Sequence, residues 1–209
     1  PSEEEISHLF MQIISEDSEN EIALRNTKRY VQRFVKRETK LCTYEQKAFR
    51  IYKSSDKYLF QEIKRKTPDS YEIEVNVKAV GLNFKDTARI TGILDAAMTQ
   101  NGLMTGLGLE YSGIVVNVGD KAHKFKPGDE IMGFATNCMA NYIIADSRLA
   151  IKKPSSLNFE EAATMPIVFL TGYYALHTLA GIKKNDRVLI HTATGGVGLS
   201  AIQLIRAAG

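Results

Sequence analysis

The stretch from Asp186 to Ala208 constrains the fold of this 209-residue chain more than any other. Asp186-Arg187-Val188-Leu189-Ile190-His191 reads as a short apolar strand, and Thr192-Ala193-Thr194-Gly195-Gly196-Val197-Gly198 follows it without a gap. Leu199 to Ala208 then carries helical periodicity, with Leu199, Ile202, Gln203, Leu204 and Ile205 around its buried side. Strand, small-residue turn and helix in this order form the unit that cradles a dinucleotide pyrophosphate. Ala193 permits the tight turn, Gly195 lets the backbone approach the pyrophosphate, and Gly198 lets helix and strand pack closely. The helix N-terminus supplies partial positive charge to the phosphates. The competing reading of these residues is a buried β-turn-α unit that holds no ligand.

Upstream, the pattern is different. Tyr71 to Ala79 alternates apolar and polar residues, which predicts a half-buried strand with Ile73, Val75, Val77 and Ala79 inward. Short β-rich runs follow at Tyr111 to Val118, Glu130 to Phe134, Ala140 to Ala145 and Leu149 to Lys152, separated by the turn signals Val118-Gly119-Asp120 and Lys126-Pro127-Gly128-Asp129. Such spacing predicts a small antiparallel barrel or sandwich. Asn158-Phe159-Glu160-Glu161 is a helix-start signature, Pro166 interrupts or restarts that helix, and Phe169 to Leu179 reads as a mostly buried helical run. The fold class is therefore mixed α and β, with three segments: a lead-in over 1–50, a barrel over 51–160 and the beginning of a nucleotide-binding domain over 161–209.

Composition narrows the function classes. With 15 Gly, 5 Pro and 2 Cys, collagen-like, low-complexity and disulfide-scaffold chains are excluded. No apolar run reaches the roughly 18 residues that span a bilayer. The first five residues, three of them Glu, do not form a secretory signal, so a cytoplasmic location is expected. The net charge of +3 hides a basic stretch: residues 22–66 hold fourteen Lys or Arg against four acids. It includes Arg25, Lys28, Arg29, Arg33, Lys36, Arg37, Lys64, Arg65 and Lys66, and no aromatic stacking pattern interleaves it. A solvated surface is expected there, with docking to an acidic protein partner as the alternative and no nucleic-acid or membrane partner. Cys42 and Cys138 share no metal-type spacing and are expected as reduced thiols.

The stretch from about Tyr71 to Gly209 resembles the medium-chain dehydrogenase/reductase superfamily, and most closely the enoyl reductase domains of polyketide synthases and animal-type fatty acid synthases. The resemblance is carried by Val80-Gly81-Leu82-Asn83-Phe84-Lys85-Asp86, Gly108-Leu109-Glu110-Tyr111-Ser112-Gly113, Phe125-Lys126-Pro127-Gly128-Asp129, Met165-Pro166-Ile167-Val168-Phe169-Leu170-Thr171-Gly172-Tyr173-Tyr174-Ala175-Leu176 and Ala193-Thr194-Gly195-Gly196-Val197-Gly198. Residues 21–33 resemble the lead-in to such a domain inside a synthase. The resemblance implies a GroES-like barrel followed by the start of a doubly wound Rossmann domain. It also implies reduction of a trans-2-enoyl thioester by NADPH, with NADH as the alternative cofactor. The partners implied are an acyl carrier protein bearing the substrate on phosphopantetheine, and the other synthase domains of the same chain. Gly195, Gly196, Val197 and Gly198 would line the pyrophosphate, Thr171 would contact the nicotinamide end, and Asn83 would lie beside the substrate cleft. For Thr171 the alternative is a helix-interior role, for Asn83 a turn-stabilising one, and for Lys85 and Asp86 a local ion pair.

Zinc enzymes of the superfamily carry a catalytic Cys where this chain has Asn83 and a His where it has Leu109. An amide and an isobutyl group cannot replace N and S ligands, so no metal site is expected. His123, His177 and His191 offer no ligand spacing. Related synthase reductases carry a Tyr shortly after the glycine corresponding to Gly92. Here Ile93-Leu94-Asp95 stands in that place, a long connection runs from Ala96 to Gly106, and no catalytic acid is identified. Glu110 is read as structural. Two other readings remain open: a free-standing zinc-less quinone oxidoreductase, and a non-catalytic structural remnant. The nucleotide domain is expected to be incomplete, and the 209 residues to have little activity alone.

Overall fold

A computed structural model describes residues 2–14, 22–25, 28–31, 47–54, 57–91, 93 and 106–209. Arg33, Lys36, Arg37, Cys42, Gly92, Leu94, Asp95 and residues 96–105 of the long connection lie outside the described residues. The chain divides into two compact units, Pro1–Thr43 and Tyr44–Gly209.

The first unit holds helix α1 (Glu3–Ile14) and the hairpin of β1 (Ile22–Arg25) and β2 (Lys28–Val31). A reciprocal capping box starts α1. Ser2 N–H donates to Glu5 Oε2 at 2.8 Å, and Glu5 N–H donates to Ser2 Oγ at 3.2 Å. Arg29 Nε donates to Gln12 Oε1 at 2.7 Å, tying helix and hairpin together.

The second unit opens with the hairpin of β3 (Phe49–Ser54) and β4 (Lys57–Glu62) and is built on a five-stranded antiparallel sheet. Its strands are β5 (Glu72–Gly81), β6 (Glu110–Val118), β7 (Glu130–Phe134), β8 (Tyr142–Asp146) and β9 (Ala150–Lys152), in the order β8-β5-β6-β7-β9. Chain geometry forces this sheet to curl. Edge strands β8 and β9 are joined only by the 3-10 turn Ser147–Leu149, which reaches at most about 15 Å. Four inter-strand gaps in a flat sheet would need about 19 Å. The curled sheet encloses a core of Ile73, Val75, Tyr111, Val115, Phe125, Ile131, Cys138 and Ile143. This is the barrel that the alternating runs implied. The turn before β7 is a type II turn: Asp129 N–H donates to the Lys126 carbonyl at 3.1 Å, with Pro127 second and Gly128 at φ +91° third.

Three local expectations are corrected. Along β5 the inward set is Ile73, Val75, Val77 and then Val80 rather than Ala79, because the ladder to β6 slips between Val77 and Ala79 and the extra residue reverses the alternation. Leu149 belongs to the 3-10 turn, and β9 begins at Ala150. The run Phe169 to Leu179 is not mostly buried. It continues helix α4 (Pro166–Tyr173) into a π-helical stretch, and Leu170, Tyr173, Tyr174 and Leu179 are exposed.

The nucleotide-side elements after the barrel are α3 (Phe159–Ala163), α4 and α5 (Gly196–Ala208). The expected capping box starts α3, with Glu161 N–H donating to Asn158 Oδ1 at 2.7 Å and Asn158 N–H donating to Glu161 Oε2 at 2.9 Å. Pro166 restarts the helix as α4, where a missing N–H costs nothing. The expected strand Asp186 to His191 is absent among the described residues: it joins no ladder, and Leu189 is 83% exposed. A parallel strand is held by its sheet neighbours, and none flanks this segment. For the same reason the buried side of α5 differs from expectation. Gly198, Ser200 and Ala201 are buried, whereas Leu199 and Gln203 are exposed, because α5 packs on α4 instead of on a sheet.

Candidate functional site

Asn83 and Glu110 join the barrel to the helices. Asn83 is the N-cap of α2 (Phe84–Ile90), and its Nδ2 donates to Glu110 Oε1 at 2.8 Å. Glu110 is almost wholly buried at the start of β6, and its Oε2 accepts the N–H of Ile167 in the first turn of α4 at 2.8 Å. One carboxylate therefore clamps α2 and the positive end of α4 to the sheet. Burial pushes the Glu110 carboxyl above its ordinary value, the bonds from Ile167 and Asn83 oppose that shift, and the neighbouring Asp86 adds to it. Gly81 is required beside it, since a β-carbon there would overlap Glu110 Oε1 and the Ala163 carbonyl. Glu110 is structural, as expected.

Asp86 is also taken up by architecture. Its Oδ1 accepts Gly108 N–H at 2.8 Å and its Oδ2 accepts Asn83 N–H at 3.0 Å. Because the Glu110 carboxylate only accepts, the Asn83 amide is fixed with nitrogen toward it. One Asn83 side-chain N–H is left over among the described residues.

A cleft of about 340 Å³ opens where these pieces meet, with Asn83, Glu110, Met165, Val168, Gly196 and Leu199 in its wall. The structure thus brings Asn83 and Gly196 to one place. Thr171 is exposed on α4 outside that lining, and Gly195, Val197 and Gly198 complete the turn beside it. Leu199, expected in the core, forms part of the cleft wall instead.

The turn is shaped for close backbone approach. A β-carbon on Gly198 would stand 2.7 Å from Ala193 Cα, and one on Gly172 would stand 3.1 Å from Ser200 Oγ, so both glycines permit tight contact. The Ser200 hydroxyl lies 2.8 Å from the carbonyls of both Val168 and Val197, fixing α5 against α4. The turn begins at Thr192, a β-branched residue at φ +56°, where backbone strain is stored. No side chain caps α5, and the amides of Gly196, Val197 and Gly198 donate to no protein acceptor among the described residues. These free donors and the helix dipole suit a pyrophosphate, so the residues fit a nicotinamide dinucleotide.

The described residues contain no group of three or more His, Cys, Asp or Glu that would hold a metal. Cys138 is buried in the barrel, donates to the Ala135 carbonyl at 3.2 Å and has its thiol pushed up to about 12 by burial.

Comparison with known proteins agrees with this geometry. The alcohol dehydrogenase GroES-like domain family matches residues 69–156. The enoyl reductase CurK has a crystal structure that superposes with a TM-score of 0.72 at 35% identity, over 78% of this chain and 52% of that one. The chain belongs to the medium-chain dehydrogenase/reductase superfamily, and it is similar to the enoyl reductase domains of polyketide synthases. The reducing polyketide synthase hmp8 of Hypomyces subiculosus is 44% identical over 136 residues, 65% of this chain and 5% of that synthase. The quinone oxidoreductase of Escherichia coli, solved in complex with NADPH, superposes with a TM-score of 0.61 at 30% identity, over 78% of this chain and 50% of that one. The chain thus spans about half the length of the solved structures it matches. No helix among the described residues is long and apolar enough to cross a membrane.

Proposed function

We propose that this chain is part of an enoyl reductase domain that reduces a trans-2-enoyl thioester, carried on an acyl carrier protein within a multidomain polyketide synthase. The observation that carries the reading is the cleft in which Asn83 of the barrel and Gly196 of the glycine turn share one wall. Bound there, NADPH would supply hydride to the β-carbon of the substrate and leave as NADP+, and the resulting enolate would take a proton at its α-carbon from water or an acid other than the residues named here. The amides of Gly196, Val197 and Gly198 would hold the pyrophosphate, and Thr171 is the candidate contact toward the nicotinamide end. The free N–H of Asn83 donates to the thioester oxygen as negative charge develops on it, which favours conjugate reduction without a Lewis acid. Met165, Val168 and Leu199 present apolar surface that keeps water from that oxygen. Glu110 holds the cleft together.

The test is expression of the full reductase region with measurement of NADPH-dependent reduction of a crotonyl thioester, where absence of turnover would overturn the reading. A second reading, quinone reduction, is favoured by the likeness to quinone oxidoreductases. It predicts turnover of a quinone and none of the thioester.

A further inference from the structure

A second pocket, of about 480 Å³, lies on the barrel side and takes no part in the cleft described above. Its wall includes Arg50 of β3, Arg89 in the last turn of α2, Tyr52, Gly106 and Asn137. Arg50 spends its Nε–H on Gln61 Oε1 at 2.9 Å, and Arg89 spends an Nη1–H on the Gly106 carbonyl. Both acceptors are neutral, and neither guanidinium has a carboxylate partner among the described residues. Each guanidinium has five N–H donors, so each keeps most of them unspent. Asn137, at φ +61°, packs its side-chain amide against Gly106 and adds a further donor.

Among the described residues the pocket wall contains no Asp or Glu. Two half-buried positive charges that share a pocket without a counter-ion among those residues repel each other, and the repulsion is relieved by an anion between them. The negative end of α2 compensates Arg89 in part, but it does nothing for Arg50, which arrives from a different element. Paired guanidiniums favour phosphate oxygens, which they hold through parallel N–H bonds. Arg89 lies six positions after the N-cap Asn83, about 9 Å along the helix axis. A phosphate at Arg89 would therefore be offset from the reacting end of the cleft and suits the far end of an extended substrate.

We infer that Arg50, Arg89 and Asn137 form a phosphate subsite that takes the phosphate ester of a phosphopantetheine arm. The identity of the arm rests on the proposed reductase function, whereas the phosphate site does not.

The test is calorimetric titration of the chain with inorganic phosphate, pantetheine and 4′-phosphopantetheine, alongside Arg50→Gln, Arg89→Gln and the double variant. Phosphopantetheine is expected to bind at least tenfold more tightly than pantetheine. Each single variant should cut that preference severalfold and the double variant should abolish it, leaving pantetheine affinity unchanged. Circular dichroism confirms that the variants fold, and Arg89→Gln alone carries the test if Arg50→Gln does not. Equal binding of the two ligands, or a preference that survives the double substitution, overturns the inference. Phosphate from the dinucleotide is the other source: NADPH affinity lowered tenfold by the same variants would overturn the assignment to the arm. If thioester reduction fails while the phosphate preference stands, the reductase reading falls alone; the reverse result removes only this subsite.

Discussion

The barrel and the helices that follow it solve the same burial problem with unequal success. The barrel's sheet curls so that its apolar face is enclosed by its own strands, and Ile73, Tyr111 and Ile131 have no exposed surface. Among the described residues the unit after it has a helix but no sheet, and Val188, Leu189 and Leu199 are exposed. A sheet built from hairpins completes its core with local partners, whereas a parallel strand depends on strands that arrive from elsewhere in the chain. The clamp at Glu110 spans both regions and lets the finished one hold the other in place.

The largest break in this comparison is expected from one type of truncation made on each side. Ile131→Ala should lower stability by about 2–5 kcal/mol by opening a cavity, whereas Leu199→Ala should change it by no more than about 0.5 kcal/mol; urea denaturation measures both. Comparable losses would show that the helical side is as well packed as the barrel.

A smaller effect is expected at Arg65, whose Nε and Nη2 bond the buried Glu74 carboxylate at 2.6 and 2.9 Å while the guanidinium lies over the Tyr142 ring. Arg65→Ala leaves that carboxylate unpaired. With the guanidinium side chain 46% exposed, water screens the loss to about 2 kcal/mol. Lys64→Ala, in the same basic stretch, should be neutral by the same measurement.

The clamp should show itself in pH dependence. A carboxyl raised by burial binds its proton more tightly in the folded state, so the associated stability is present below the ordinary value of 4.5 and is lost as pH rises through the folded value. Asp146, lowered by its bonds to Arg148, acts in the opposite direction and loses its contribution as pH falls. Glu110→Gln should therefore gain stability relative to the parent chain as pH rises from 4 to 7 (roughly one carboxyl titration). Parallel denaturation curves across that range would show that Glu110 is not the titrating group.

The smallest expected effect is kinetic. With its thiol raised by burial, Cys138 should resist a thiol reagent at pH 8 (about the value at which a free thiol begins to ionise) in a Cys42→Ser background, and react only on unfolding. Fast labelling of the native chain would show that the barrel opens locally.

How much could be read beforehand differs between the two regions for the same reason. The strand Glu130–Phe134, the turn at Pro127-Gly128 and the capping box at Asn158 were legible because each depends on residues within a few positions of one another. The bulge that exchanges Ala79 for Val80 was not, because slippage is settled by the partner strand. The Asn83 to Glu110 bond was not legible either, because it joins residues 27 positions apart, nor was the pairing of Arg50 with Arg89 in one pocket.

By itself, then, the amino-acid sequence determined the order of barrel and glycine turn, the helix start at Asn158, and the absence of zinc ligands at Asn83 and Leu109, all matters of local chemistry and spacing. Only the tertiary structure decided that residues 186–191 pair with no strand among the described residues, that Leu199 faces a cleft, and that one buried carboxylate ties α2 and α4 to the barrel. Those outcomes depend on which surfaces meet, and a surface is buried only when another arrives to cover it.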